Sequence, residues 1–343
     1  VPRIGALVRE KIWWILLLLI CAPLARGQSN ASAPPQQSST TAAAATVSPR
    51  LFAPGVISGP ANDGSPTFTP DGKTLFFTRS TAAWGVILES HLSHGQWSEP
   101  QVAPFSGEWP DSSPGLAPDG SFIVFVSLRP KDTAGTGGSS HKPQSVANLW
   151  RSHRVGSGWS KPERLPDAVN TGPSIWKPSV AADGTIYFVA IDAKGGKRLY
   201  SARYKDGTYQ QAQPLSFSDG TTADVDPEIA PDGSFLVFCS SGRRGDSKDH
   251  LFIVLRKDGD WGPVTPIRYA GDDQNGSSTD DEPHLGPDHR TVYFSSDRAV
   301  HVDFPRSREQ AQEDLKRLEI WDNSNSNVWF MPITPWLKAG AEN

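Results

Sequence analysis

The sequence predicts an all-β protein of repeated four-stranded antiparallel sheets set side by side around a ring. Three observations predict it. One phrase recurs five times. Each copy joins two short runs of strand-forming residues through a tight turn. A second pair of such runs follows most copies before the next begins. A unit of this size cannot bury its apolar face alone and must stack on its neighbours.

The first copy runs from Ser65-Pro66 to Pro70-Asp71-Gly72 and on into Thr74–Arg79. The second has Ser113-Pro114, Pro118-Asp119-Gly120 and Phe122–Ser127, and the third Lys177-Pro178, Asp183-Gly184 and Thr185–Val189. The fourth has Asp226-Pro227, Pro231-Asp232-Gly233 and Phe235–Ser240, and the fifth Glu282-Pro283, Pro287-Asp288 and Thr291–Ser296. In Pro-Asp-Gly the proline presets φ, the aspartate bonds locally, and the glycine takes the conformation other residues avoid. The flanking runs are rich in Val, Ile, Phe, Tyr and Thr, as strands are. Each phrase is therefore a hairpin. Ala182 replaces the proline and His289 the glycine, so those two turns are expected to be looser or longer.

The second hairpin halves follow in order. They are Val86–Ser90 with Gln96–Pro100, Asn148–Ser152 with Gly158–Pro162, Arg198–Ala202 with Gly207–Tyr209, and Leu251–Leu255 with Gly259–Pro263. Four strands per repeat, arranged radially, make a β-propeller blade. Five blades are expected, with six as the alternative. The last unit has a third strand at Val328–Ile333 but no fourth, and Leu51–Ile57 is expected to close the ring there.

The Pro-Asp-Gly strand phrase resembles the PD40 (WD40-like) repeat and is similar to the propeller domain of TolB. The resemblance covers roughly residues 51–337. It implies a propeller and does not by itself imply an activity, because one scaffold hosts many. TolB also has an N-terminal domain, which residues 28–50 do not supply, so a role in the Tol system is not expected.

The ends of the chain read differently. Arg3, Arg9 and Lys11 precede the apolar run Ile12–Ala22, and Ala25 and Gly27 place small residues where a signal peptidase reads. That run is shorter than the roughly 20 residues of a spanning helix. Residues 1–27 are expected to be a secretory signal, leaving no stable membrane span after cleavage, with an uncleaved anchor as the alternative. Val1 reads as an alternative start codon, which points to a bacterial gene, and the signal implies a periplasmic or secreted product. Residues 28–50 carry no charge before Arg50 and are expected to be a disordered tether. Residues 51–337 form the propeller and 338–343 a tail.

Composition limits the chemistry. Cys21 leaves with the signal and Cys239 then has no partner, which excludes an intrachain disulfide and cysteine-zinc clusters. The formal charge is −4, with no basic stripe for nucleic acid. There is no G-x-S-x-G elbow, no H-E-x-x-H and no phosphate-binding loop. The loop Gly271–Gly276 with Asp280–Glu282 has the oxygen ligands calcium prefers, but Gly271 occupies the first ligand place. A solvated loop is expected there, with no metal and no cofactor.

Insertions mark where function concentrates. The turn aspartates Asp71, Asp119, Asp183, Asp232 and Asp288 stand 48, 64, 49 and 56 residues apart. The long second interval holds the Gly/Ser-rich loop Pro130–Val146. The fifth blade holds Asp297–Asn327, where Ser307 and Gln310 form a capping box and Ala311, Leu315 and Leu318 share a face. A helix over Ser307–Ile320 is expected to pack on the propeller flank or, alternatively, to cover one mouth of the channel. Trp109, Trp176 and Trp321 lie outside the repeated positions and either contact a ligand or seal blade junctions.

The residues before each proline should meet at one rim of the channel: Ser65, Ser113, Lys177, Asp226 and Glu282. The second strands add Arg79, Arg129 and Arg298. This ring is the candidate ligand site, though it can equally serve to satisfy its own polar groups. The expected function is a non-catalytic exported scaffold that binds a protein, a peptide or an envelope glycan. The alternative is a carbohydrate-active hydrolase, which needs two carboxylates roughly 5–10 Å apart. Asp226, Glu228 and Glu282 are its rim candidates.

Overall fold

The computed structural model describes residues 47–131, 146–270 and 278–341, the last three by backbone alone. The expected signal, most of the tether, nearly all of the loop Pro130–Val146 and the loop Gly271–Gly276 lie outside these residues. Five antiparallel sheets form a five-bladed propeller. The innermost strands are Asn62–Phe68, Asp111–Leu116, Ile175–Val180, Ala223–Ile229 and Asp280–Leu285. Each pairs with the strand after its turn, and that strand with a third: Gly85–Ser93, Asn148–Val155, Lys197–Ala202, His250–Lys257 and Asn327–Pro332. The second strands carry the core. Phe76, Phe77, Phe125, Phe188, Phe238 and Phe294 are fully buried between adjacent blades.

The ring closes through the N-terminal segment, one residue earlier and over a shorter span than the sequence suggests. Arg50 pairs with Phe330 and Leu51 with Trp329, and the Phe52 amide donates to the Val328 carbonyl. Residues beyond it turn rather than extend, with the Ile57 amide bonded to the Ala53 carbonyl and Ile57 fully buried. Part of the expected tether is thereby structured: the Val47 carbonyl accepts from the Ala270 amide at 2.7 Å.

The two irregular turns are not loosened. His289 adopts φ 52, inside the left-handed region that glycine fills elsewhere, as at Gly233 with φ 71. Its turn keeps the same bonds as the others, with the Gly286 amide on the Thr291 carbonyl and the His289 amide on the Gly286 carbonyl. The Ala182 turn is one residue shorter, because the Ala181 amide reaches the Thr185 carbonyl.

Helix α1 spans Arg308–Ile320 with the capping box read from sequence: Ser307 Oγ accepts from the Gln310 amide, and Gln310 Oε1 from the Ser307 amide. Its residues are exposed or half-buried, and at its end Ile320 Cγ2 lies 3.5 Å from where a Cβ at Gly55 would stand. Arg317 braces its last turn, pairing with Asp314 in the helix at 2.9 Å and with Asp322 just beyond it at 2.7 Å. A second helix, α2, spans Thr334–Ala341, where the sequence suggested only a tail. Pro335 suits a first helical turn, and Trp336 and Ile333 bury against the fourth and fifth blades.

Trp176 and Trp321 seal junctions. Trp176 packs against the cores on both sides of its blade, and Trp321 meets Trp329 edge-on at 5.8 Å. No helix of the described residues is long and apolar enough to cross a membrane.

Candidate functional site

The site begins with a backbone irregularity repeated in every blade. Ser65, Ser113, Lys177, Asp226 and Glu282 have φ between 50 and 55, left-handed for residues with a Cβ. Each sits in a β-bulge, where the pairing of the innermost strand shifts register. Bulges re-aim side chains. Five equivalent bulges bring these residues to the axis, as the sequence places them, though nothing in the spacing reveals their left-handed conformation.

Lys177 is the centre of the arrangement. It is 1% exposed, and its Nζ donates to Ser65 Oγ at 2.9 Å and to His284 Nε2 at 2.8 Å. His284 is held neutral, because burial first and the Lys177 ammonium second push its pKa well down. Its Nδ1 then faces Glu228 Oε2 at 3.4 Å. Glu228 also accepts from the Leu285 amide at 2.9 Å, and burial raises its pKa to about 7. Asp226 accepts from the Glu282 amide at 3.1 Å. Burial raises its pKa to about 6, against the pull of Lys177. Glu282 accepts from Ser295 Oγ at 2.8 Å. Asp281 is pushed well up by burial and by the neighbouring Glu282 and Asp226. Three blades are thus tied across the axis by one ammonium.

The arginines serve another purpose. Arg79 pairs with Asp63 at 2.6 Å, Arg129 with Asp111 at 3.0 Å, Arg243 with Asp224 at 2.7 Å and Arg298 with Asp280 at 2.7 Å. Each aspartate lies two residues before the left-handed position, and each is fully or nearly fully buried. Each guanidinium also lies over a second-strand phenylalanine: Phe77, Phe125, Phe238 or Phe294. Arg79, Arg129 and Arg243 donate further to the carbonyls of Ile57, Phe105 and Phe217, which lie in the segments leading into their blades. Arg79, Arg129 and Arg298 are therefore engaged within the fold. The signal was readable, since four of five copies carry aspartate three residues before the proline. The third blade has Ile175 there and lacks the pair.

Beside this axis, on the face carrying the loops between second and third strands, lies a groove of about 710 Å³. Ser113, Glu282, Gly64, Thr81 and Trp84 line it. Trp84 is 55% exposed and was not singled out from sequence. Gly64 has a steric role: a Cβ there would stand 2.2 Å from Glu282 Oε2 and 2.3 Å from Ser295 Oγ. At the other end of the axis, Glu228 and His284 line a small void of about 60 Å³ with Thr67 and Ser179. Of the carboxylates considered for hydrolysis, Glu282 lines the groove and Glu228 the void, while Asp226, bonded to the Glu282 amide, lines neither. The groove's other carboxylates, Asp63 and Asp111, are neutralised by their arginines. Among the described residues no group of three or more His, Cys, Asp or Glu is placed to hold a metal ion.

The fold defines the class, a five-bladed β-propeller with a polar axis and an open groove at its loop face. No family model matches the chain, and no curated protein matches it. Solved structures do. A TolB-type protein of Agrobacterium tumefaciens is 21% identical, with a TM-score of 0.45 over 72% of this chain and 74% of that one. TolB of Acinetobacter baumannii is 18% identical, with a TM-score of 0.44 over 68% of this chain and 49% of that one. An α-L-arabinofuranosidase of Lactobacillus brevis is 13% identical, with a TM-score of 0.48 over 82% and 92%. No functional assignment rests on these likenesses.

Proposed function

We propose that the protein is an exported, non-catalytic propeller that binds a protein, a peptide or an envelope glycan at the loop-face groove. The observation that carries this reading is that, of the three rim carboxylates, Glu282 lines the groove and Asp226 and Glu228 do not. Glycoside hydrolysis needs two of them facing one substrate, and the groove's remaining carboxylates, Asp63 and Asp111, are held by Arg79 and Arg129. What the groove offers is an exposed indole, small polar residues and one carboxylate, Glu282. Aromatic side chains at such positions supply large contact area at low entropic cost. Export agrees with the leader-like residues 1–27 and leaves the product periplasmic or secreted.

The test is capture from a bacterial envelope extract by the immobilised protein, beside Trp84→Ala and Glu282→Gln. Both variants should retain fold and lose the captured component. Release of sugar from arabinan or xylan oligosaccharides by the wild type, abolished by Glu282→Gln, would favour the hydrolase instead.

A further inference from the structure

A second groove lies at the opposite end of the ring, where the Pro-Asp-Gly turns stand. It encloses about 590 Å³ between the fourth and fifth blades. That volume lies within the range of small-ligand sites, roughly 300–1,000 Å³. Its apolar lining is Phe235, Leu255 and Leu337, the last from α2. Its charged lining is Arg256, Lys257 and Arg290 against Asp232 and Asp288. Both aspartates are occupied by their own turns. Asp232 accepts from the Ser234 amide and hydroxyl, and Asp288 from the Arg290 and Thr291 amides and the Thr291 hydroxyl. Lys257 and Arg290 are exposed.

Arg256 is the fixed element. Its guanidinium lies 4.0 Å from the Trp261 ring centre, and its Nη2 donates to the Tyr187 hydroxyl at 3.1 Å. Its Nη1 would stand only 3.1 Å from a Cβ at position 233, so it lies against the turn that Gly233 completes. Its Nε is buried and has no partner among the described residues. A guanidinium fixed over an aromatic ring at the edge of a groove is pre-oriented to meet a carboxylate with its accessible N–H groups. The lining holds one more cation than carboxylates, which suits a single negative charge.

We propose that this groove binds the terminal carboxylate of a peptide whose last side chain is apolar, with Arg256 taking the carboxylate and Leu255 and Leu337 the side chain. Capture of a chain terminus is an established recognition mode. The site is separate from the loop-face groove and does not depend on the function assigned to it.

The experiment titrates the full chain with N-acetylated tetrapeptides ending in leucine, valine or phenylalanine, each as free acid and as C-terminal amide. The acids should bind at least tenfold more tightly than the amides. Arg256→Gln should lose about tenfold or more. Arg290→Gln and Lys257→Gln, which remove exposed charges, should each lose a few-fold without altering the melting temperature. Equal binding of acid and amide would overturn the proposal, as would no binding of any acid at millimolar concentration. So would displacement of the acid by inorganic phosphate at lower concentration than by acetate, which would mark a phosphate site. If Arg256→Gln melts early, the two exposed-charge variants decide, and unchanged acid binding in both refutes the assignment.

Discussion

Replacing Lys177 with methionine keeps most of the side-chain volume and removes the ammonium that bridges the axis. The wild-type Nζ holds Ser65 and His284 and offsets Asp226, Glu228 and Asp281. Removing one partner of a buried charge network costs about 3–5 kcal/mol, because the remaining charges stay buried without compensation. For domains of 150–250 residues each kcal/mol moves the midpoint by about 2–4 °C, and less for larger ones. At about 1.6 °C per kcal/mol for a propeller of this size, Lys177→Met should therefore melt roughly 5–8 °C below wild type at pH 7.5, read by circular dichroism or calorimetry. Ser65→Ala, which removes one neutral acceptor, should cost only about 0.5–1.5 kcal/mol. The Lys177→Met deficit should shrink at pH 5, where the carboxylates it leaves behind take up protons. A variant melting within 2 °C of wild type at pH 7.5, or a deficit that grows on acidification, would refute the account of Lys177 as the axial counter-charge.

Two further outcomes follow from the same geometry. Wild-type stability should rise as pH falls from 8 towards 5. Glu228 and Asp226 have folded pKa values of about 7 and 6, above their unfolded ones, so the native state binds more protons in that window and stability is lost as pH rises through it. His284 opposes this below its unfolded value near 6.5, since its folded pKa is depressed. The net gain should be a few kcal/mol at most, at about 1.4 kcal/mol per pKa unit; chemical denaturation at stepped pH measures it, and a flat profile counts against the buried carboxylates. Deleting residues 47–51 should lower the midpoint and promote aggregation, because it bares the outer edge of the last blade. Light scattering and melting equal to the intact chain would argue against closure by this segment.

Much of the fold is legible because it repeats. Five copies of one turn specify five hairpins, and a missing fourth strand in the last unit points to closure from the N-terminal segment. The helix at Arg308–Ile320 is legible from Ser307 and Gln310 because a capping box acts within one turn of chain. What surrounds it is not, since packing depends on residues far away in sequence. The candidate site was half legible. Position before the proline locates Ser65, Ser113, Lys177, Asp226 and Glu282 at the axis, but their left-handed φ arises from the bulge, which composition does not reveal. Arg79, Arg129 and Arg298 looked like free rim charges because their partners sit in another strand, 16 to 18 residues away. Trp84 escaped notice because it falls in a short connection with no repeated counterpart.

The cross-axis position of Lys177 has a consequence for how the ring comes apart. Repeat proteins are ordinarily quasi-one-dimensional: each unit feels only its neighbours, and stability sums along the array. Here one side chain joins the third blade to the first and the fifth, units that are not adjacent to it. Such a crossbar converts a necklace of locally coupled links into a braced frame. A defect in the third blade is transmitted at once to both sides of the closure seam, so partial melting of single blades is suppressed in favour of one concerted event. Amide-exchange rates in the innermost strands of these three blades should accordingly converge on a single opening free energy, and uncouple when the crossbar is removed.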